Sequence, residues 1–500
     1  MIDAPLASAA GPRPHRPWLA AVLSFVFPGL GQAYAGRYRP ALVLAVPALL
    51  LVLVVLGLLT GVIGGMRNNV LSSDFLVAVL LVNGVLLAWR GVAIAHGGLT
   101  PWPLIQGHDR RTSVMVVIGL LVVSVAMHGW IAGVVVQLND TLGQVFGEAR
   151  SGGLAPPAGG DEEGEEPDDP VNQPEFRWDG TDVINVLLLG TDAAPGREAV
   201  LTDVLLVVSI DPVARSAVMI SVPRDTGYVP LPDESLYPGA LFPDKVNELA
   251  ARASLEPATW CPDLADDAEA CGLRTVERTV GLYLGIEIHH YALIDMAGFA
   301  QMIDALGGLE LCLPGRLVDP EFDGSLGNRQ SREPLVLPAG CHHYNGLDAL
   351  AYARSRKGWI EMPDGTRVQQ SDFERNERQQ QVLLAMRREL AEADTFLELP
   401  DLLRAIGRTV STDFPRDQAG DLASLLPVIT GPDIERVVLG YPEFVELPAD
   451  PSANYLLVPK RDAIRDEMAR LFGRQELTGW YLATDAPGPG SEPAAEAPTP

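Results

Sequence analysis

The sequence predicts an α/β protein: an α/β/α layered domain with a central mixed sheet, preceded by an α-helical multi-span membrane segment. Three observations carry this expectation. Long unbroken apolar stretches crowd the N-terminal part, short apolar runs of strand length follow, and segments with apolar residues at helical spacing are interleaved with them.

The apolar stretches at 40–65, 75–95 and 114–136 are each long enough to cross roughly 30 Å of hydrocarbon, which predicts three transmembrane helices. An earlier stretch, WLAAVLSFVFPGLGQAYAG (18–36), is shorter and is interrupted by Pro28, Gly29 and Gly31. Arg13, His15 and Arg16 precede it, and Arg37 and Arg39 follow it. Basic flanks stay on the cytoplasmic side, so a crossing here would leave one of them outside; a re-entrant or interfacial hairpin is expected instead. Arg110 and Arg111 also belong inside. Residues 1–17 are then cytoplasmic, 18–137 form the membrane segment, and the remainder is extracytoplasmic. No small-residue cleavage site follows a single short apolar run, which argues against a cleaved signal peptide.

Residues 138–181, with GGDEEGEEPDDP, are acidic and rich in Gly and Pro, a composition expected for a solvated tether; 476–500 is expected to be a disordered tail on the same ground. Between them, at 182–475, INVLLLG, VLLVVSID and SAVMISVPRD read as strands covered on both faces. LRTVERTVGLYLG, DMAGFAQMIDALGG and DFERNERQQQVLLAMRRELAEA read as helices, and Leu306-Gly307-Gly308 as a helix stop. The four cysteines, Cys261, Cys271, Cys312 and Cys341, all lie beyond the last apolar stretch. An even number in an exported domain suggests disulfides; nearness in sequence favours Cys261–Cys271 and Cys312–Cys341 among three connectivities, and no CxxC spacing supports metal ligation. The formal net charge of −27 argues against nucleic acid as a partner. Any anionic ligand must meet a local cluster of arginines.

Four polar clusters abut apolar elements. Asp192 follows one strand and Asp203 precedes the next, so two neighbouring strands would bring both carboxylates to one sheet edge, where they could share magnesium; one of them capping a turn is the alternative. The loop between, GTDAAPGREAVLTD, lacks the glycine pattern and the Lys-Ser/Thr of a nucleotide-phosphate loop. In SVPRDT, Pro223 ends the strand, and Arg224 and Asp225 project from the edge, as a site or as a surface turn. In YARSRK, an extended course of Tyr352 to Arg356 would turn Arg354 and Arg356 to one side, a fork suited to a diphosphate or merely a solvated basic edge. In SDFERNERQQQVLL, with Ser371 as N-cap candidate, Asp372, Arg375, Arg378 and Gln379 share one broad helix face, which taken alone is usually just a solvated face.

Taken together, LLLGTD, TDVLLVVSIDP, SVPRDT, a K-x-N in DKVNEL, LPAGCHHYNGLDALAYARSR and D-x-x-R-x-x-R-Q-Q closely resemble the LytR-CpsA-Psr family of bacterial cell-wall phosphotransferases over about 182–390. Weaker similarity continues to about 470, and the cysteine spacing looks actinobacterial. The membrane part resembles small multi-span segments with PGLGQ-x-Y-x-G, rather than the family's usual single helix. The resemblance implies an extracytoplasmic, membrane-anchored enzyme that moves a glycopolymer, with its proximal phosphate, from a polyprenyl diphosphate carrier to a peptidoglycan sugar hydroxyl. It implies magnesium (or manganese) on Asp192 and Asp203. Arg224, Arg354, Arg356 and Arg375 would hold the diphosphate, Asp372 would orient the arginines, and Lys245 and Asn247 match the family's lysine and asparagine. Asp225, Arg378, Gln379 and Arg197 complete the expected substrate contacts, and apolar helices are candidates for lining a lipid groove beside membrane lipid. One departure stands in the opening loop: the family's arginines near the two aspartates are replaced by Ala194 or a neighbour and by Leu201, with Arg197 as a candidate substitute. That departure favours a rival reading, a non-catalytic binder of polyprenyl diphosphate lipids; a third is a pyrophosphatase that hydrolyses the same bond, with water in place of the sugar.

Overall fold

The computed structural model describes residues 16–59, 72–100, 107–146, 178, 180–191, 201–233, 235–322, 334–392, 399–425, 428, 434–448 and 455–473. The chain divides into two compact units, Met1–Asn139 and Asp140–Pro500.

In the first unit the stretch at 18–36 folds as two short helices, Pro17–Val26 and Leu30–Tyr34, separated by a turn in which Gly29 adopts φ 102°. A Cβ on Gly31 would lie 1.9 Å from the Ala20 carbonyl oxygen, so only glycine lets the two helices close on each other. Gln32 then donates from Nε2 to the Ala93 carbonyl at 2.9 Å, tying this hairpin to the helix Ser73–Leu99. The PGLGQ motif is therefore a packing device within the described residues. Two helices, Ser73–Leu99 and Arg110–Val145, are long and apolar enough to cross a membrane. The third expected span coincides with the helix Tyr38–Leu59, which contains Pro47; the adjoining residues 60–71 lie outside the described residues. Side chains such as Leu81, Val85 and Met115 are largely exposed on these helices. The last helix continues past residue 137 to Val145, farther than the composition of the tether suggests.

The second unit is built on a six-stranded mixed sheet. Its strands are β1 (Ile184–Thr191), β2 (Thr202–Asp211), β3 (Ser216–Ser221), β4 (His290–Asp295), β5 (Val410–Thr412) and β6 (Ile434–Val438), in the order β5-β4-β1-β2-β3-β6. β1 runs antiparallel to β2 and parallel to β4, β3 is antiparallel to β2 and parallel to β6, and β5 is antiparallel to β4. Consequently the C-terminal ends of β1, β3, β4 and β6 and the N-terminal ends of β2 and β5 share one edge. The chain leaves or enters the sheet there six times, and the polar motifs follow those exits.

Both faces of the sheet are covered, which is why its strands read as near-continuous apolar runs. On one face Leu187, Leu189, Leu205, Val207 and Ile220 pack with Val276, Val280 and Tyr283 of the helix Ala268–Leu284 and with Ile464 and Met468 of the helix Arg461–Phe472. On the other, Gln380 of the helix Asp372–Glu392 donates to Ser221 Oγ at 2.9 Å and to the Val437 carbonyl at 3.1 Å. A second apolar cluster joins the helix Met296–Ala305, which ends at Gly307 (φ 86°) and Gly308 (φ 107°), to the paired strands Leu309–Leu313 and Gly340–Tyr344 and to a small four-stranded sheet containing Arg316–Asp319. Both expected disulfides are formed: Cys261–Cys271, and Cys312–Cys341 between register partners of that strand pair.

The start of β1 depends on one unprotonated imidazole. His289 Nδ1 accepts from Asn185 N at 2.9 Å, and burial lowers the His289 pKa from 6.5 to about 4. The unfolded chain then takes up a proton at a higher pH than the folded chain, so stability is full above pH 6.5 and is lost as pH falls from 6.5 towards about 4. Denaturant unfolding between pH 7 and 4 measures this slope, and His289→Gln should make it shallower.

Candidate active site

At the shared sheet edge lies a cavity of about 620 Å³. Asp203, Arg224, Arg354, Arg356, Arg375 and Gln379 line it, and Phe299, Met302, Leu350 and Leu383 supply apolar wall. β1 and β2 bring the edge together through a register shift at Gly190 and Thr191, where a Cβ on Gly190 would meet the Val204 side chain at 2.8 Å. Asp203, the second residue of β2, is thereby placed with its side chain partly exposed to the cavity.

Beyond β3 the chain continues through Val222 and Pro223 to Arg224, whose Nη1 lies 2.7 Å from Asp203 Oδ1 and whose Nε lies 3.7 Å from Asp372 Oδ1. Asp372, at the start of the helix Asp372–Glu392, is also ion-paired through Oδ1 with Arg375 Nη1 at 2.8 Å. Cations and carboxylates thus alternate from Asp203 through Arg224 and Asp372 to Arg375. Arg375 is only 3% exposed, and its Nε and Nη2 are buried with no hydrogen-bond acceptor among the described residues. Burial pulls this guanidinium below the ordinary arginine range while Asp372 raises it again. A desolvated, under-paired guanidinium costs stability and binds an anion strongly, because the anion restores the missing acceptors.

Arg354 and Arg356 reach the cavity by a different route from the one the sequence suggests. Tyr352 to Arg354 is not extended; it is the last turn of the helix Gly346–Arg354, which Ser355 ends at φ −57°, ψ 138°. The helix persists because Ala349, Leu350, Ala351, Tyr352 and Ala353 are all buried, and only past Arg354 does the chain straighten. Both guanidiniums still line the one cavity, with Arg354 over the Phe322 ring at 5.8 Å.

Other expected residues lie elsewhere. Arg378 is outside the cavity lining and 2% exposed: Nε donates to the Tyr352 carbonyl at 2.9 Å, and its other nitrogens donate to Gln370 Oε1 and the Ser355 carbonyl. It braces the segment that carries Arg354 and Arg356. Asp225, nearly buried, pairs with Lys245 Nζ at 2.8 Å. Asn247 is buried, accepting from Thr202 Oγ1 through its carbonyl at 3.2 Å and donating to the Arg224 carbonyl at 3.3 Å. Those three support the edge from behind. Ser371 begins the helix Asp372–Glu392 reciprocally with Glu374: its Oγ accepts from Phe373 N at 3.2 Å, and Glu374 Oε2 accepts from Ser371 N at 2.7 Å. Asp192 and Arg197 lie outside the described residues. Leu201, at the place of an expected arginine, lines the cavity, as do Lys357 and Asp319, which the sequence reading passed over. RLVDP carried a usable signal, an acid closing an apolar run directly before a proline.

Fold and site together define a class: a sheet-edge α/β protein whose cavity pairs an arginine cluster with an apolar wall, suited to an amphiphilic anion. The LytR_cpsA_psr family model matches residues 159–445, and the chain belongs to that family. A polyisoprenyl-teichoic acid–peptidoglycan teichoic acid transferase, TagU, of Halalkalibacterium halodurans is 29% identical over 249 residues, 50% of this chain and 67% of that protein. The regulatory protein MsrR of Staphylococcus aureus (strain Mu50) is 30% identical over 232 residues, 46% of this chain and 57% of that protein. The match thus leaves a third or more of each relative's length uncovered. The crystal structure of B. subtilis TagV aligns at 23% identity with a TM-score of 0.42, over 58% of this chain and 96% of that one.

The two helix arginines should separate by function. Arg378→Met leaves buried carbonyls unsatisfied and should cost about 3 kcal/mol. Arg375→Met should cost less than about 1 kcal/mol while abolishing the rise in Tm that pyrophosphate gives the wild type. Thermal denaturation with and without pyrophosphate checks both.

Proposed function

We propose that this protein is a membrane-anchored, extracytoplasmic phosphotransferase of cell-wall assembly. It takes a glycopolymer from a polyprenyl diphosphate carrier and joins it, through the proximal phosphate, to a peptidoglycan sugar hydroxyl. The observation that carries the reading is the cavity itself, where four arginines beside Asp203 adjoin an apolar wall that suits the first isoprene units. Family membership and the transferase name of the TagU relative support the same chemistry. Ser73–Leu99 and Arg110–Val145, with Tyr38–Leu59 as a third crossing, support a multi-span anchor with a cytoplasmic N-terminus.

In the reaction the acceptor hydroxyl oxygen attacks the phosphorus nearest the glycopolymer, and the bond from that phosphorus to the bridging oxygen breaks. Polyprenyl monophosphate leaves, and the hydroxyl proton passes to a carboxylate at the sheet edge. Such a transfer needs little covalent help; it needs charge on the non-bridging oxygens neutralised by donors already in place. Arg224 and Arg375 are held by Asp203 and Asp372 for that purpose, and Arg354 and Arg356 close on the diphosphate from the helix end. Asp203 has the chemistry for magnesium, a hard cation that takes one or two carboxylates plus substrate phosphates, and Asp192 is its expected second ligand. The ion would supply further charge neutralisation.

Leu201 favours a second reading, because an apolar side chain sits beside Asp203 where the family pattern has arginine. In that reading the protein holds the lipid without cleaving it. Purified chain in detergent, a short polyprenyl diphosphate sugar, a peptidoglycan oligomer and magnesium decide the matter by mass spectrometry of products. Transfer is expected, with Arg354→Ala and Asp203→Ala each slowing it by about 100-fold or more while keeping the wild-type Tm. Lipid binding without bond cleavage overturns both enzymatic readings, and cleavage independent of acceptor makes the protein a hydrolase.

A further inference from the structure

Asp319 closes the strand Arg316–Asp319 and is 1% exposed. Its Oδ2 accepts from Ser355 Oγ at 2.8 Å, from Arg356 N at 3.2 Å and from Lys357 N at 3.2 Å, and its Oδ1 accepts from Glu321 N at 3.2 Å. One buried carboxylate therefore gathers a hydroxyl and three amide donors rather than a side-chain cation. The segment it gathers is the exit from the helix Gly346–Arg354, where two arginines that line the cavity and a lysine fall within four residues. The next residue seals the contact: a Cβ on Gly358 would lie 2.0 Å from the Val318 carbonyl oxygen, so the segment is laid directly on the strand that ends in Asp319. From the opposite side Arg378 donates to the Tyr352 and Ser355 carbonyls.

We propose that Asp319 is a positioning residue for anion capture: its buried charge sets the course of residues 355–357 and so presents Arg354 and Arg356 together to the diphosphate. The inference rests on reading the cavity as a diphosphate site. Without the carboxylate, three cationic side chains close in sequence repel one another and the amides of Arg356 and Lys357 lose their acceptor. The chain then drifts towards the separated arrangement that like charges prefer. A carboxylate that merely ended the helix would affect stability and would not act through the arginines.

Calorimetric titration of the full chain in detergent with inorganic pyrophosphate tests this. Asp319→Ala and the isosteric Asp319→Asn should each weaken binding about tenfold or more, whereas in an Arg356→Ala background the further loss should stay below about threefold, because the two residues act as one unit. Should Asp319→Ala not fold, Asp319→Asn decides alone, since it keeps the shape and one acceptor oxygen while removing the charge and turning the other acceptor into a donor. Binding by the folded variants within about twofold of wild type, or an equal loss in both backgrounds, overturns the proposal. Wild-type protein that binds no pyrophosphate overturns the reading of the cavity and this inference with it.

Discussion

The alternation of Asp203, Arg224, Asp372 and Arg375 is the constraint on which the rest of the site depends. The cavity gathers several cations close together, and cations close together repel. In this protein the conflict is resolved by interleaving carboxylates from different elements: β2 supplies Asp203, the segment after β3 supplies Arg224, and one helix supplies both Asp372 and Arg375. Because the partners belong to three elements, the pairs also fix how those elements meet. The sheet order does the coarse work, since mixed pairing brings the exits of β1, β3, β4 and β6 to one edge.

Much of this was legible in the sequence because it is locally encoded. Apolar runs such as INVLLLG and VLLVVSID read as strands with two covered faces, and the residues that directly follow or open them then lie at a sheet edge. The motifs found there are those that line the cavity. What was not legible depends on partners far away in the chain. Arg375 and Arg378 are one turn apart on one helix and look equivalent; only the Tyr352 and Ser355 carbonyls, more than twenty residues upstream, make Arg378 a brace and leave Arg375 to the cavity. Asp319 is hidden for the same reason, three of its four donors being 36 to 38 residues downstream. YARSRK misleads locally, because five buried residues extend the helix one turn farther than its charges suggest.

The first unit shows the same division between local pattern and distant partner. Apolar length announces helices, but the role of PGLGQ emerges only from its neighbours: Gly31 against Ala20, and Gln32 against Ala93 more than sixty residues away. In hydrocarbon, where burying apolar surface gives helices no reason to associate, small residues that allow close approach and a buried amide with a partner are what remains to hold them. The motif supplies both.

Charge in the cavity bears on the unusual opening loop. Among the described residues lining it, five side chains are cationic (Arg224, Arg354, Arg356, Lys357 and Arg375) and four are carboxylates (Asp203, Asp295, Asp319 and Glu321). Three of those acids are committed elsewhere: Asp295 caps the helix Met296–Ala305, Asp319 holds the arginine segment, and Glu321 pairs with Lys357 at 3.0 Å. Among the lining acids that leaves Asp203, bound to Arg224, set among the arginines, with Asp372 adding a second carboxylate beside Arg224 and Arg375. The formal excess of positive charge is small, so a diphosphate would tip the cavity negative unless a further cation enters with it. An arginine at the place of Leu201 would have supplied that charge permanently. With leucine there, the described lining residues would not by themselves neutralise a bound diphosphate.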